Sequence, residues 1–558
     1  PMDGLTVFSV NDAIYGRDEY FMCLNRNSSN GLEWKWKYDV GPGLRHIFWD
    51  KEGNPTPDTE LALRIKKDIA QDLEDMYANN ERMLVISQDC PKDELRKNEK
   101  VDALDTRIFM SIGRSYGVIC RMLFGDLTSR VCKNRIFNGI AVGVNPYQEW
   151  SLIAQVLNRF GGMHSENKGD GDFGSFDASE RPHFQIEIIE MICDFYDDGD
   201  KYRQLRRIVL QDLFNSIHVT DNMVIEWYGS LNSGHFLTPL MNCLYVMVCF
   251  VLCWWKANGE LDSSMDSFFT HVCLVVFGDD HVFSVTPRLA PLFTEDVIAK
   301  HMYELGMTYT SADKSGTNVG LRKITQLSFL KRGFVFTDYS THGYDAPLEI
   351  DSIIPTLFYT KKNDNGEIIA AKLQTALREL SLHPEPVFNA YARILCAIGR
   401  KHWPGVEFSD SYFKQRLLVF QCPVTYQGCA VPVTSRKELV HADYERFRGG
   451  LLGASLGLRV GYQYTEVYHN VARGLHWLPA LTSRMSLEDA KSEALKWHAE
   501  IGSVYTQVPS SLSLTLESGG AQGLPPAENG SSAGQVRAAT QNLSTLTENN
   551  QHAVVFST

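Results

Sequence analysis

The rhythm of apolar and polar residues changes along the chain and divides it. Up to about Phe160, mixed segments are separated by loop signals such as Gly41-Pro42-Gly43 and Asn54-Pro55-Thr56-Pro57. Within that part, Leu61, Leu63, Ile65, Ile69 and Leu73 recur among charges over Asp58–Tyr77, which predicts a helix with apolar faces. From Lys168 to about Phe336, short apolar strands alternate with helices, an α+β pattern. From Pro347 to about Trp497 helical periodicity dominates, as in Ala370–Ser381. After Thr506, Ser, Gly, Gln, Asn and Thr take over, with Gly519-Gly520, Pro525-Pro526 and Gly530-Ser531-Ser532. Such a stretch buries too little apolar surface to offset its ordering entropy, so 506–558 is expected to be disordered.

The longest apolar run, Leu244 to Trp255, is 12 residues, short of the ~20 a bilayer span needs, and it predicts a core helix. The chain opens on Pro1-Met2-Asp3-Gly4 with no signal-peptide pattern, as expected of a piece of a longer polyprotein. Its 558 residues suggest several subdomains, at roughly 100–200 residues each. The 44% hydrophobic and 22% charged residues are ordinary for a globular protein. A net charge of −13 argues mildly against a nucleic-acid partner, yet a phosphate responds to the groove it sits in, so a local basic footprint stays open. Twelve cysteines show neither a CxxC pair nor zinc spacing and are expected to be buried, reduced thiols.

The strongest chemical signal is His271-Val-Cys-Leu-Val-Val-Phe-Gly-Asp-Asp-His-Val-Phe-Ser-Val285. Two β-rich runs flank Gly278-Asp279, the mark of a tight hairpin with Asp279 and Asp280 at its tip. Taken alone, a Gly-Asp step is as often a structural turn. A second cluster, Lys168-Gly-Asp-Gly-Asp172-Phe-Gly-Ser-Phe-Asp177, sets Asp172 at the end of a short strand and Asp177 beyond a turn. Carboxylates so arranged suit Mg²⁺, which takes one or two of them and fills its shell with water and phosphate oxygens. Two such ions, about 3.5–4 Å apart, clamp the attacking and leaving oxygens in phosphoryl transfer. Asp172 and Asp279 fit that role, with Asp280 as an auxiliary, while a calcium loop or a surface turn shares the same spacing.

Read in order, these segments resemble the motif set of RNA-dependent RNA polymerases from picornavirus-like positive-strand RNA viruses (Picornavirales; dicistrovirus-, iflavirus- or marnavirus-like). Asp172 and Asp177 match the first palm motif and Phe277-Gly-Asp-Asp280 the third. Between them Gly229-Ser-Leu-Asn-Ser233-Gly234-His-Phe-Leu-Thr238-Pro-Leu-Met-Asn242 resembles the second. In the family, residues matching Asp177, Ser233 and Asn242 form a network around the ribose 2′-OH, to which a hydroxyl and an amide offer both donor and acceptor. Thr238 lies one turn before Asn242 on the same face. Lys92, Arg96, Lys100 and Arg107 match a basic finger motif over the nucleotide channel, although Asp93, Glu94, Glu99, Asp102 and Asp105 balance its charge. Lys314, in Leu305-Gly-Met-Thr-Tyr-Thr-Ser-Ala-Asp313-Lys314-Ser315, matches the fourth palm motif, whose lysine is proposed as general acid. Lys331 and Arg332 match a primer grip, Gly234 belongs to the RNA-facing loop, and Ser28 and Ser29 sit where the family carries a template-entry loop.

The resemblance implies an α+β right-hand polymerase with fingers, a palm with an antiparallel sheet and a helical thumb. Its expected parts are fingers over 1–160 and 182–224, palm over 161–181 and 225–340, a thumb and helical region over 341–505, and the tail 506–558 as disordered segment or linker. It further implies Mg²⁺ (Mn²⁺ able to substitute), template and primer RNA, and ribonucleoside triphosphates. A genome-linked protein primer and other viral replication proteins are expected partners, with membranes engaged only indirectly, at replication complexes in the host cytoplasm. Two departures stand out: Phe277 replaces the common Tyr, and His235-Phe236-Leu237 is bulkier than usual. Relatives also carry a longer segment before the point matching Asn11, so an N-terminal truncation is expected. The alternatives are a reverse transcriptase-like polymerase and a non-catalytic RNA-binding or structural polyprotein fragment, its tail drawn from a capsid arm.

Overall fold

The computed structural model describes residues 4–419, except 42, 95, 97, 197, 222, 259–265, 313–318, 338–342 and 360–365, together with the strand pair Thr425–Tyr426 and Cys429–Ala430. The expectation of disorder over 506–558 falls outside the described residues. Those described form two compact units, one reaching to Leu330 and the other covering Lys331–Val419.

Two four-stranded sheets lie in the first unit. Their strands, in chain order, are β1 Ile86–Pro91, β2 Ile108–Ser111, β3 Lys168–Gly174, β4 Asn215–Thr220, β5 Met223–Tyr228, β6 Val272–Phe277, β7 Asp280–Val285 and β8 Thr308–Thr310. One sheet runs β2-β1-β4-β5, with β1 and β4 parallel. The other runs β8-β3-β7-β6 and is antiparallel throughout. The apolar β6 stands at an edge, where an unpaired strand invites association. A loop closes it, since Ala141 N–H donates to the Val276 carbonyl at 2.7 Å and Val276 N–H to the Gly139 carbonyl at 2.8 Å.

Strand β3 is charged and glycine-rich, yet it lies inside the sheet. Alternation explains this, with Lys168, Asp170 and Asp172 on one face and Gly169, Gly171 and Phe173 on the other. The bare face admits aromatic rings. A Cβ on Gly171 would stand 2.2 Å from the Tyr309 hydroxyl, so only glycine lets β8 bring that ring over β3. On the other face Lys168 is fully buried, and its ammonium donates to the carbonyls of Gly162 and Ser165 and to Asn167 Oδ1 at 2.8–3.2 Å. Those acceptors hold the charge that burial would otherwise expel, although burial still lowers the Lys168 pKa to about 8.

Behind the sheet runs the helix Thr238–Asn258, apolar almost all round and therefore a core helix. It packs on β6 and on the helix Glu295–Glu304. Among the described residues it alone has the length and hydropathy of a membrane-crossing helix, with 72% of that window buried. Upstream, the helix expected over Asp58–Tyr77 spans Glu60–Asn79. The Thr59 side chain caps it by accepting the Ala62 N–H at 3.3 Å, and a left-handed Asn80 (φ 52°) ends it. In the second unit, Gly366–Leu380, Glu385–His402 and Tyr412–Val419 pack around Leu377, Phe388, Leu395 and Phe408.

Candidate active site

The β6–β7 hairpin turns as its sequence predicts. Phe277 pairs with Asp280 across the two-residue turn, and Gly278 takes φ 68° while Asp279 does not, the type II′ pattern. The turn is also held from beneath, where Gly278 N–H donates to Cys243 Sγ at 3.0 Å. Strand β3 pairs with β7 through Gly171 and His281. Continuing that register brings Asp172 level with Asp280, so three carboxylates from two chain segments meet at one end of the sheet.

Their environments differ. Asp279 is exposed and Asp280 more enclosed; burial chiefly, with the charges of Asp279, Asp170 and Asp172 adding to it, pushes the Asp280 pKa up to about 7. One of its oxygens accepts the Leu330 N–H at 2.9 Å, which favours the charged form. Behind the turn, His281 Nδ1 meets the Asp279 carbonyl at 2.9 Å and Nε2 meets the Tyr309 hydroxyl at 3.1 Å. Burial lowers the His281 pKa to about 4, so the ring is neutral. A neutral ring satisfies both bonds if Nδ1–H donates and Nε2 accepts. The backbone that carries Asp279 is thereby tied to β8.

Asp177 follows β3 through a left-handed Ser175 (φ 51°) and enters the short helix Phe176–Ser179. Asn242 Nδ2 donates to Asp177 Oδ1 at 2.9 Å. The Asn242 carbonyl oxygen is buried without a partner among the described residues, which leaves an acceptor beside the carboxylate. Burial raises the Asp177 pKa and Asp279 adds to that, while the Asn242 bond and the charges of Lys92 and Arg107 oppose it. Lys92 and Arg107, whose backbones are bonded through Lys92 N–H and the Arg107 carbonyl at 2.8 Å, thus lie close enough for their charges to act on Asp177, although Arg107 also pairs with Glu94 at 3.6 Å.

Several expected residues are engaged elsewhere. Arg96 pairs with Glu94 at 3.5 Å and Asp105 at 3.3 Å, and Lys100 with Asp105 at 3.1 Å, so the acidic neighbours in this motif take up its outer cations. The Thr238 hydroxyl donates to the Asn232 carbonyl at 2.7 Å, closing the loop that precedes its helix. Ser233 is half-buried and its hydroxyl lies 3.0 Å from Met110 Sδ. Gly234 is set by space, since a Cβ there would meet the Met110 carbonyl oxygen at 1.6 Å. Ser28 donates to the Asn25 carbonyl at 2.7 Å and Ser29 Oγ accepts the Gly31 N–H at 3.1 Å, so both hydroxyls stabilise their own turn. Lys331 is exposed, at the start of the second unit.

Arg332 requires a correction. Its guanidinium forks onto both oxygens of Glu379 at 2.9 Å and onto the Ala346 carbonyl at 2.8 Å. The charge expected to face a primer backbone is instead neutralised inside the second unit. Lys314 lies outside the described residues.

Other residues of consequence carried no motif signal. Glu180 is buried, accepts Gln185 Nε2 at 2.7 Å, and has its pKa raised to about 8 by burial, with Asp177 adding to the rise and the Gln185 bond opposing it. Asp170 stands two residues before Asp172 on the same face of β3, and Arg322 and the Ser328 N–H reach it from downstream. The Asp-x-Asp alternation was the available sign. The bulky His235 is also explained: buried and neutral, with its pKa near 3, it sits 2.9 Å from the Tyr116 hydroxyl and accepts the Leu237 N–H at 3.0 Å.

Among the described residues no three Asp, Glu, His or Cys close into a preformed metal cage. The open carboxylate set is what an ion shared with phosphate oxygens requires. Residues 24–396 match the family model for viral RNA-dependent RNA polymerase. The chain is 29% identical over 402 residues to the replicase polyprotein of Acute bee paralysis virus (strain Rothamsted), covering 70% of this chain and 21% of that protein. It is 30% identical over 409 residues to the replicase polyprotein of Drosophila C virus (strain EB), covering 70% and 23%. The chain therefore spans about a fifth of the length of these curated relatives. Among solved structures, the Sicinivirus 3Dpol RNA dependent RNA polymerase is similar in fold, with TM-score 0.60 and 18% identity over 75% of this chain and 82% of that one. The likeness shows the α+β, right-hand fold.

Proposed function

The chain belongs to the viral RNA-dependent RNA polymerase family, and on that premise we propose that it performs template-directed nucleotidyl transfer, copying the genome of a positive-strand RNA virus. The observation that carries this reading is the meeting of Asp172 with the Asp279–Asp280 turn at one end of a single antiparallel sheet. Hard oxygen donors in an open arrangement fit a divalent cation, Mg²⁺ with Mn²⁺ as substitute, held by Asp172 and Asp279 with Asp280 beside them. When bound, the ion supplies charge stabilisation for the primer hydroxyl and the transferring phosphate.

The protein's own residues supply position and selection. Asp177, held by Asn242, and the unpartnered Asn242 carbonyl oxygen offer acceptors to a ribose 2′-OH. This pair favours a ribonucleotide and argues against the reverse transcriptase reading. Lys92 and Arg107, whose charges already reach Asp177, suit the triphosphate. Lys314 remains the proposed acid for the pyrophosphate leaving group. Template and primer RNA and ribonucleoside triphosphates are the proposed ligands; a genome-linked protein primer and other replication proteins are the proposed partners. The proposed setting is a membrane-associated replication complex in the host cytoplasm.

The test is Mg²⁺- or Mn²⁺-dependent ribonucleotide incorporation on a primed homopolymer RNA, comparing the chain with Asp279→Asn. Elongation by the first and none by the second is expected. Equal incorporation by both would remove the metal role from the hairpin, and silence from the parent chain, also with preceding polyprotein sequence restored, would remove the catalytic reading.

A further inference from the structure

Strand β3 carries a second acid that the chemistry above does not use. Asp170 is buried, on the same face as Asp172, and two groups from one downstream segment, the Arg322 guanidinium and the Ser328 N–H, bond its carboxylate. The Arg322 guanidinium bonds Asp170 Oδ1 with one nitrogen and, with the other, Glu295 Oε1 at 2.6 Å. Glu295, fully buried at the start of the helix Glu295–Glu304, also accepts the amides of Val319 and Gly320 at 3.2 and 3.1 Å. Arg322 is itself fixed to β3 by paired backbone bonds with Lys168 at 2.7 and 3.2 Å.

Downstream of this anchor the chain passes Asp170 within β3 and Asp280 at the start of β7. Ser328 N–H donates to Asp170 Oδ2 at 2.7 Å, and two residues later Leu330 N–H donates to Asp280 Oδ2 at 2.9 Å. The intervening Phe329 is buried and stacks on Trp150 with centroids 5.7 Å apart. Alternate amides of one extended piece thus grip a carboxylate on each of two adjacent strands. The piece ends in Leu330 at φ 53°, a conformation that a branched side chain adopts only when its surroundings impose it.

We infer that Arg322, anchored by Asp170 and Glu295, is a positioning residue for the catalytic carboxylates, acting through the strap Ser328–Leu330 that fixes one oxygen of Asp280. The inference rests on the polymerase reading. It gives Asp170 and Glu295 their purpose: the ion triad sets where the strap starts, and the strap sets the rotamer of Asp280. The fork of Arg322 matters because its two terminal nitrogens, held apart in one rigid plane, reach Glu295 and Asp170 separately, whereas a lysine would have to draw both carboxylates to a single nitrogen.

Two variants of the full chain test it. Arg322→Lys keeps the charge and removes the fork. Ser328→Pro removes the amide that grips Asp170, together with the serine hydroxyl, and Ser328→Ala serves as the control that loses the hydroxyl alone; the preceding Leu327, at φ −86° and ψ 151°, already has the extended shape a following proline demands. The measurements are kcat and KM for ribonucleotide incorporation, RNA affinity by fluorescence anisotropy, and thermal unfolding. Displacing a catalytic group by about 1 Å costs on the order of a hundredfold. In both variants kcat is therefore expected to fall ten- to a hundredfold, by this order of magnitude, with KM and RNA affinity within about twofold. Unchanged kcat in either well-folded variant overturns the strap, as does a loss that merely follows the unfolded fraction. A silent parent chain alongside normal RNA binding overturns the polymerase reading, and the strap's role falls with it.

Discussion

Glu180→Gln isolates the cost of a buried acid close to Asp177. Glu180 is 2% exposed, and burial holds the proton on its carboxyl to about pH 8, against 4.5 for an ordinary glutamate. The titratable groups around it are Asp177, Tyr245 and Cys249, and burial keeps the last two neutral across the range used below. Between those two pH values the folded state binds a proton that the unfolded state has released. Stability then falls as pH rises, by about 1.4 kcal/mol per pH unit for this one group. Glutamine keeps the shape and the acceptor for Gln185 Nε2, does not titrate, and sets an amide NH₂ donor where the protonated Glu180 Oε1 stands. Over about pH 5.5 to 7.5, the advantage of Glu180→Gln over the parent should grow by ~3 kcal/mol. Urea unfolding of both proteins across that range reads it as a midpoint difference that widens by up to ~1 M for m of about 3 kcal/mol/M. Taking the difference cancels Asp280, Asp212 and the histidines, which titrate in both. Parallel curves would refute the reasoning, because Glu180 would then be ionised in the folded state.

Tyr309→Phe should leave His281 Nε2 without a donor, at about 1–3 kcal/mol, visible as a thermal midpoint lowered by several degrees; an unchanged midpoint would mean that the ring is held by packing alone. Asn242→Ala should cut the ratio of kcat/KM for ribo- over deoxyribonucleotides by roughly tenfold or more, the equivalent of ~1.4 kcal/mol; a constant ratio would separate Asn242 from sugar selection. Arg332→Met should destabilise the second unit by about 3–5 kcal/mol through the stranded Glu379. It should also leave the salt dependence of RNA binding unaltered, whereas a phosphate contact at Arg332 would lower that slope by ~1.

Much of the site was legible because its key features are local. A Gly-Asp step between two apolar runs determines a hairpin tip, and β3 alternates charge with glycine whatever lies around it. The Asp58–Tyr77 periodicity likewise found its helix within a few residues. What escaped was pairing over distance. Nothing near Arg332 shows that Glu379 will neutralise it, and nothing near Asp170 shows that Arg322 lies beside it. Glu180 follows Asp177-Ala-Ser in a run that looks like a polar loop, and only the fold buries it. In the finger motif the balancing acids were visible, and they took up Arg96, Lys100 and Arg107, while the charges of Lys92 and Arg107 still reach Asp177.

The helix Thr238–Asn258 also sets a timetable for synthesis. Its apolar surface is covered partly by β6 and partly by the helix Glu295–Glu304, and both follow it in the chain. About 46 further residues, from Asn258 to Glu304, must be translated before that cover exists. At ~5–20 residues per second this takes roughly 2–10 s. During that interval the nascent chain presents a segment as long and apolar as a membrane span, so chaperone demand and sorting errors should concentrate on ribosomes paused between these two helices.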